Sequence, residues 1–113
     1  MTDTLRQGLR AALTLGFLWF GLTKLTGTAG TVQLYDQLGF GQWPRFVTGT
    51  VETLGALALW SPAARLAALA LIATMIVGFT AKATLVGPPV WHIAAMGVLT
   101  ALLLYLDTRR PRA

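Results

Sequence analysis

At 113 residues the chain has room for one domain, and with 55% hydrophobic residues, 12% charged residues and a mean hydropathy of +0.64 it is far more apolar than a soluble domain, where roughly 25% are charged. Its net charge of +5 comes from basic residues scattered at the ends of apolar runs, which excludes the continuous basic stripe of a nucleic-acid interface and argues for lipid as the solvent. The lack of cysteine and the single histidine exclude thiol catalysis, thiolate metal sites and any multi-histidine metal or haem site within one chain, so no metal is expected.

The first apolar span covers residues 9–25, with Arg6 and Arg10 ahead of it and Lys24 at its far end. It is close to the lower limit of about 17 residues for a span, so Arg10 and Lys24 are expected to snorkel or turn inward. A signal peptide is the competing reading, because a basic start, an apolar run and Gly27, Thr28, Ala29 and Gly30 imitate a cleavage region. Lys24 falls before that point and three more spans follow, which favours a retained span. The pattern TVQLYDQL at residues 31–38 reads as a short helix lying in the interface or capping the mouth of a bundle.

Gly39 and Gly41 break that helix, and Trp43 followed by Pro44 opens the second span at a boundary suited to an aromatic anchor. After Trp60, Ser61 reads as an N-cap and Pro62 as a helix-start proline, so the second and third spans are antiparallel neighbours joined by a tight turn. The third span, residues 63–84, carries Arg65 and Lys82 near its ends; Gly87, Pro88 and Pro89 stop it. The fourth, residues 90–106, opens with Trp91 and His92 and closes at Tyr105 before Asp107 and a basic tail. The expected fold is an all-α integral membrane four-helix bundle with a short interfacial helix between its first two spans. Four spans bring both termini to one side, with Arg6, Arg10, Arg65, Arg109, Arg110 and Arg112 there and Lys24, Arg45 and Lys82 opposite. The positive-inside rule then makes both termini cytoplasmic.

One carboxylate, Glu52, sits in the second span, eight residues beyond Pro44 and therefore roughly 12 Å into the helix. An acid at a span centre costs roughly 2.5–3.5 kcal/mol, so it should face the bundle interior with a partner. Lys24, Lys82 and His92 all fall in the same membrane half, and a central Lys24–Glu52 ion pair with Lys82 and His92 nearby is expected. Helical spacing surrounds these groups with Phe17, Phe20 and Gly21 on the first span, Gly49 and Gly55 on the second and Phe79 on the third, and Trp91 adjoins His92 on the fourth; these are the candidate pocket lining. A buried Lys–Glu pair also serves as a pure register device between helices, and His92 beside Trp91 as an interfacial anchor.

The runs FGLTKLTG at residues 20–27, LGFGQWP at 38–44 and ETLGALALW at 52–60, followed at once by SPAARLAALALIATM, resemble the DoxX and DoxX-like family. The resemblance covers nearly the whole chain and implies a four-helix protein of the bacterial inner membrane, with Gly21 and Lys24 as its Gly-x-x-Lys and Glu52 and Gly55 as its Glu-x-x-Gly. It further implies association with membrane oxidoreductase assemblies, since one relative is a small subunit of a thiosulfate:quinone oxidoreductase and others act as assembly factors. Three readings follow. In the first, a redox-associated accessory subunit binds a quinone in the Lys24, Glu52 and His92 pocket, with Phe17, Phe20, Phe79 or Trp91 packing on the ring. In the second, a non-catalytic scaffold uses the ion pair to fix helix register and docks partner spans or a second copy. In the third, an oligomeric proton-linked carrier titrates Glu52.

Overall fold

The computed structural model describes residues 2–109, the side chains of Thr2 and Arg109 excepted; Arg110 and Arg112, counted above among the terminal basic residues, lie outside the described residues. Five helices and no strand occur among them: α1 (Thr2–Thr26), α2 (Ala29–Leu38), α3 (Trp43–Ala58), α4 (Ala64–Leu85) and α5 (Trp91–Arg109).

Helix α1 begins at Thr2, well ahead of the apolar run at Leu9. Asp3 in its first turn sits where the helix dipole favours an anion, and Arg6, one turn on, pairs with it at 2.6 Å. Gly27 ends α1 and Gly39 ends α2, both with positive φ, the left-handed conformation that closes a helix at little cost only for glycine. Pro44 occupies the first turn of α3, where its missing N–H matters least. The expected cap at Ser61 is displaced. Ser61 Oγ accepts the Ala63 N–H and donates to Ala58 O, and Ala64 N–H reaches Ser61 O, so Ser61 and Pro62 form a separate turn and α4 starts only at Ala64.

The four long helices form a ring in the order α1, α3, α4, α5, each packed on two neighbours, while α2 lies across one end against α1, α3 and α4. The chain reverses at every connection. The start of α1, the end of α3 and the end of α5 therefore meet at one end, and Lys24, Arg45, Lys82 and His92 gather at the other. Leu13, Phe17, Ala56, Leu59, Leu71, Met75 and Leu103 fill the core. Small residues set the helix spacing: a Cβ on Gly21 would lie 2.8 Å from Gly49 O, and one on Gly55 would lie 2.9 Å from a Leu71 methyl group.

Helix α4 and residues Trp91–Thr108 of α5 are long and apolar enough to cross a membrane. A helix that is apolar all round belongs in a protein core or in lipid. These two are not core helices, because only 22% and 11% of their apolar windows are buried and Leu66, Val77 and Val98 stand about two-thirds exposed or more. Helix α3, with 16 residues, spans about 24 Å, and α1 carries Arg6, Arg10 and Lys24.

Candidate functional site

The close approach of α1 and α3 at Gly21 and Gly49 brings Lys24, one turn beyond Gly21, against Glu52, one turn beyond Gly49. Lys24 Nζ donates to Glu52 Oε1 at 2.5 Å and lies 5.3 Å from the Phe20 ring centre. Glu52 is fully buried, and its second oxygen, Oε2, has no hydrogen-bond partner. A buried carboxylate without compensation costs several kcal/mol, so this pairing decides whether α3 can hold an acid at mid-helix. Arg45, about two turns before Glu52 on α3, braces it: its guanidinium donates to the Lys24 carbonyl at the end of α1 and to Gln42 Oε1, and stacks 4.3 Å over Phe46. The Lys24 carbonyl is one of those that a helix C-terminus leaves without an intrahelical donor.

The pair opens on a cavity of about 500 Å³ lined by residues of all five helices. Phe20, Thr23 and Lys24 line it from α1, Leu34, Tyr35 and Leu38 from α2, Val51 and Glu52 from α3, Thr74, Met75, Gly78 and Lys82 from α4, and His92 and Ile93 from α5. Its rim includes Phe40, Val47 and Val77, apolar residues that are more than half exposed, so the cavity communicates with the outer face of α3 and α4.

A model of the DoxX-like family matches residues 8–106, which takes in α2, α3 and α4 entire and most of α1 and α5. The chain belongs to the DoxX-like family. No curated protein and no solved structure matches it significantly. Family membership, together with two apolar helices that expose most of their surface, makes it a small membrane protein associated with the lipid bilayer.

Of the residues singled out in this DoxX-like chain, Lys24, Glu52, Lys82, His92 and Phe20 line the cavity. Lys82 points elsewhere, however: its ammonium donates to Gly87 O and Pro89 O and closes the α4–α5 loop. His92 stands edge-on to the Phe20 ring at 6.1 Å. Phe17 is fully buried in the apolar core, one turn deeper than the cavity wall. Gly21, Gly49 and Gly55 are helix contacts, the first two between α1 and α3 and the third against Leu71 of α4. Phe79 and Trp91 are exposed on the outside of the bundle, because each adjoins an inward residue, Gly78 or His92, and successive helical residues point about 100° apart. Thr31, Leu34, Tyr35 and Leu38 of α2 complete the wall. The alternation of polar and apolar residues in TVQLYDQL was the signal that one face of this helix is covered.

A second polar cluster occupies the opposite end. Asp107 Oδ1 accepts from Arg6 at 2.8 Å and from Arg10 at 2.5 Å, and Arg10 also donates to Gln7 and to Leu59 O at the end of α3. Trp60 stacks on Arg10 and donates to Thr14 Oγ1. Both arginines are buried. These are not flank markers in water but a clasp between α1, α3 and α5.

Proposed function

We propose that this protein is a four-span bundle of the bacterial inner membrane with cytoplasmic termini, and that its cavity binds a quinone-like, lipid-soluble ligand on behalf of a membrane oxidoreductase, as an accessory subunit rather than a complete enzyme. The observation that carries the reading is Glu52, fully buried and paired through one oxygen only, in the wall of a largely apolar cavity. The cavity volume falls within the roughly 300–1,000 Å³ of small-molecule sites, and such sites combine apolar walls with a few convergent polar groups. Phe20, Met75 and Ile93 offer packing for a ring; Lys24 and His92 offer donors and Glu52 an acceptor. The exposed apolar rim at Val47 and Val77 suits a ligand that arrives from the bilayer. Arg65 and the basic tail residues Arg109, Arg110 and Arg112 support the orientation.

The test is titration of the purified chain in lipid nanodiscs with a short-chain benzoquinone and with its hydroquinone, against protein-free nanodiscs. Saturable binding is expected. A Cβ at Gly78 meets nothing within 4 Å, so Gly78→Phe fills the cavity without backbone strain and is expected to weaken binding at least about tenfold while the protein stays folded. Titrations that do not saturate, or that Gly78→Phe leaves unchanged, would contradict the reading. The register reading has an observation of its own, the close Gly21–Gly49 contact beside the ion pair. It predicts that Lys24→Met with Glu52→Gln restores most of the stability lost in either single variant and leaves function intact.

A further inference from the structure

Glu52 presents two oxygens, and the protein uses one. Lys24 Nζ holds Oε1, while Oε2 is buried and has no partner although Glu52 forms part of the cavity wall. Buried polar atoms in folded proteins are nearly always partnered, and an unmet one at a cavity wall points to what the cavity takes. The neighbouring orphan, Thr53 Oγ1, does not compete for this role. It sits in the α1–α3 contact, where a Cβ on Gly21 would lie 2.3 Å away, and it does not line the cavity.

A carboxylate accepts and does not donate. Opposite an ammonium on Oε1, the free oxygen therefore selects a ligand head that carries a hydroxyl hydrogen and discriminates against one that carries only carbonyl or ether oxygens. We infer that the cavity binds the hydroxyl-bearing form of its ligand, a hydroquinone or phenol head donating to Glu52 Oε2, in preference to the acceptor-only quinone. This rests on the ligand-binding reading above and goes beyond it by naming which redox form the site holds. Lys24, with donors left over, still steadies a second oxygen of the head, but it serves both forms alike and does not discriminate. A site built to hydrogen-bond a hydroxyl rejects an analogue without one, because its buried polar group is left unmet.

The test separates the hydrogen bond from redox chemistry. The full chain in nanodiscs is titrated calorimetrically with 4-nonylphenol and with its methyl ether, which have the same ring and tail and differ in the donor, after correction for partition into protein-free nanodiscs. The phenol is expected to bind about tenfold tighter than the ether or more, as a hydrogen bond to a charged group implies. In Glu52→Gln, whose amide accepts weakly and also donates, the preference is expected to shrink below about threefold. The same order is expected for the hydroquinone over the quinone. Equal affinity for phenol and ether in the unmodified protein, or a preference that survives Glu52→Gln unchanged, overturns the inference. Should Glu52→Gln not fold, the ratio in the unmodified protein decides alone. Saturable binding of the quinone couple with no phenol preference defeats this inference and leaves the ligand-binding reading standing; no saturable binding of any probe defeats both.

Discussion

Glu52 and Asp107 are both carboxylates that accept from cations of another helix, yet the sequence announces them differently. Glu52 stands out because no other acid interrupts an apolar run, and the lysine that meets it, Lys24, closes the neighbouring span. Removing Lys24 leaves that carboxylate buried without compensation, so Lys24→Met is expected to cost about 3–5 kcal/mol in a thermal or denaturant melt in detergent. Asp107 is different: 97 and 101 residues separate it from Arg10 and Arg6, and basic residues before a first span look the same whether they face water or a partner. Asp107 accepts from both arginines, and both are buried. Asp107→Asn is therefore expected to cost about 1.5–3 kcal/mol in the same melt. Equal stability of the two proteins would contradict the clasp. Side-chain direction was the least legible feature. Residues three or four apart share a helix face only loosely, which is why Phe17 lies in the core and Phe79 and Trp91 face outward.

The helices themselves were legible because the apolar runs are bounded by chemistry that stops a helix, at Gly27, Gly39 and the Gly87–Pro89 stretch, or starts one, at Pro44. What the apolar pattern does not contain is the polar start of α1, which Asp3 and Arg6 extend beyond the span, or the separate turn that Ser61 builds before α4. Nor does it say which small residues touch. Gly21 and Gly78 look alike in sequence, but a Cβ on Gly21 would meet Gly49 O and Thr53 N at 2.8 Å, backbone atoms that cannot yield, whereas one on Gly78 meets nothing. Gly21→Ala is thus expected to destabilise by about 1–3 kcal/mol and to loosen the Lys24–Glu52 contact, while Gly78→Ala, relieving a mid-helix glycine, gains up to about 1 kcal/mol. Paired melts of the two variants read the difference directly. Equal effects would mean that α1 and α3 do not approach closely at Gly21.

Taken as one object, the molecule is 48 Å long with a polar knot near each end, the Lys24–Glu52 pair beneath α2 and the Arg6–Arg10–Asp107 clasp at the other. Helices α4 and α5 are long and apolar enough to cross a membrane, while α1 and α3 are tied into the ring by those knots. The proposed topology has a direct check, because the chain has no cysteine of its own. Single cysteines at exposed Gln33 on α2 and at exposed Ala63 in the α3–α4 turn are expected to differ in intact cells, position 33 reacting with an impermeant maleimide and position 63 reacting only after permeabilisation. The reverse pattern would invert the bundle. The central claim, that the cavity under α2 is a ligand site, is tested most directly by photolabelling the protein in nanodiscs with an azido-quinone, with the hydroquinone as competitor, and mapping the adducts by mass spectrometry. The account predicts competed labels on residues 34–38 of α2 and 74–82 of α4. Labels spread over the lipid-facing surface around Leu66 and Val98 and indifferent to the competitor would contradict it.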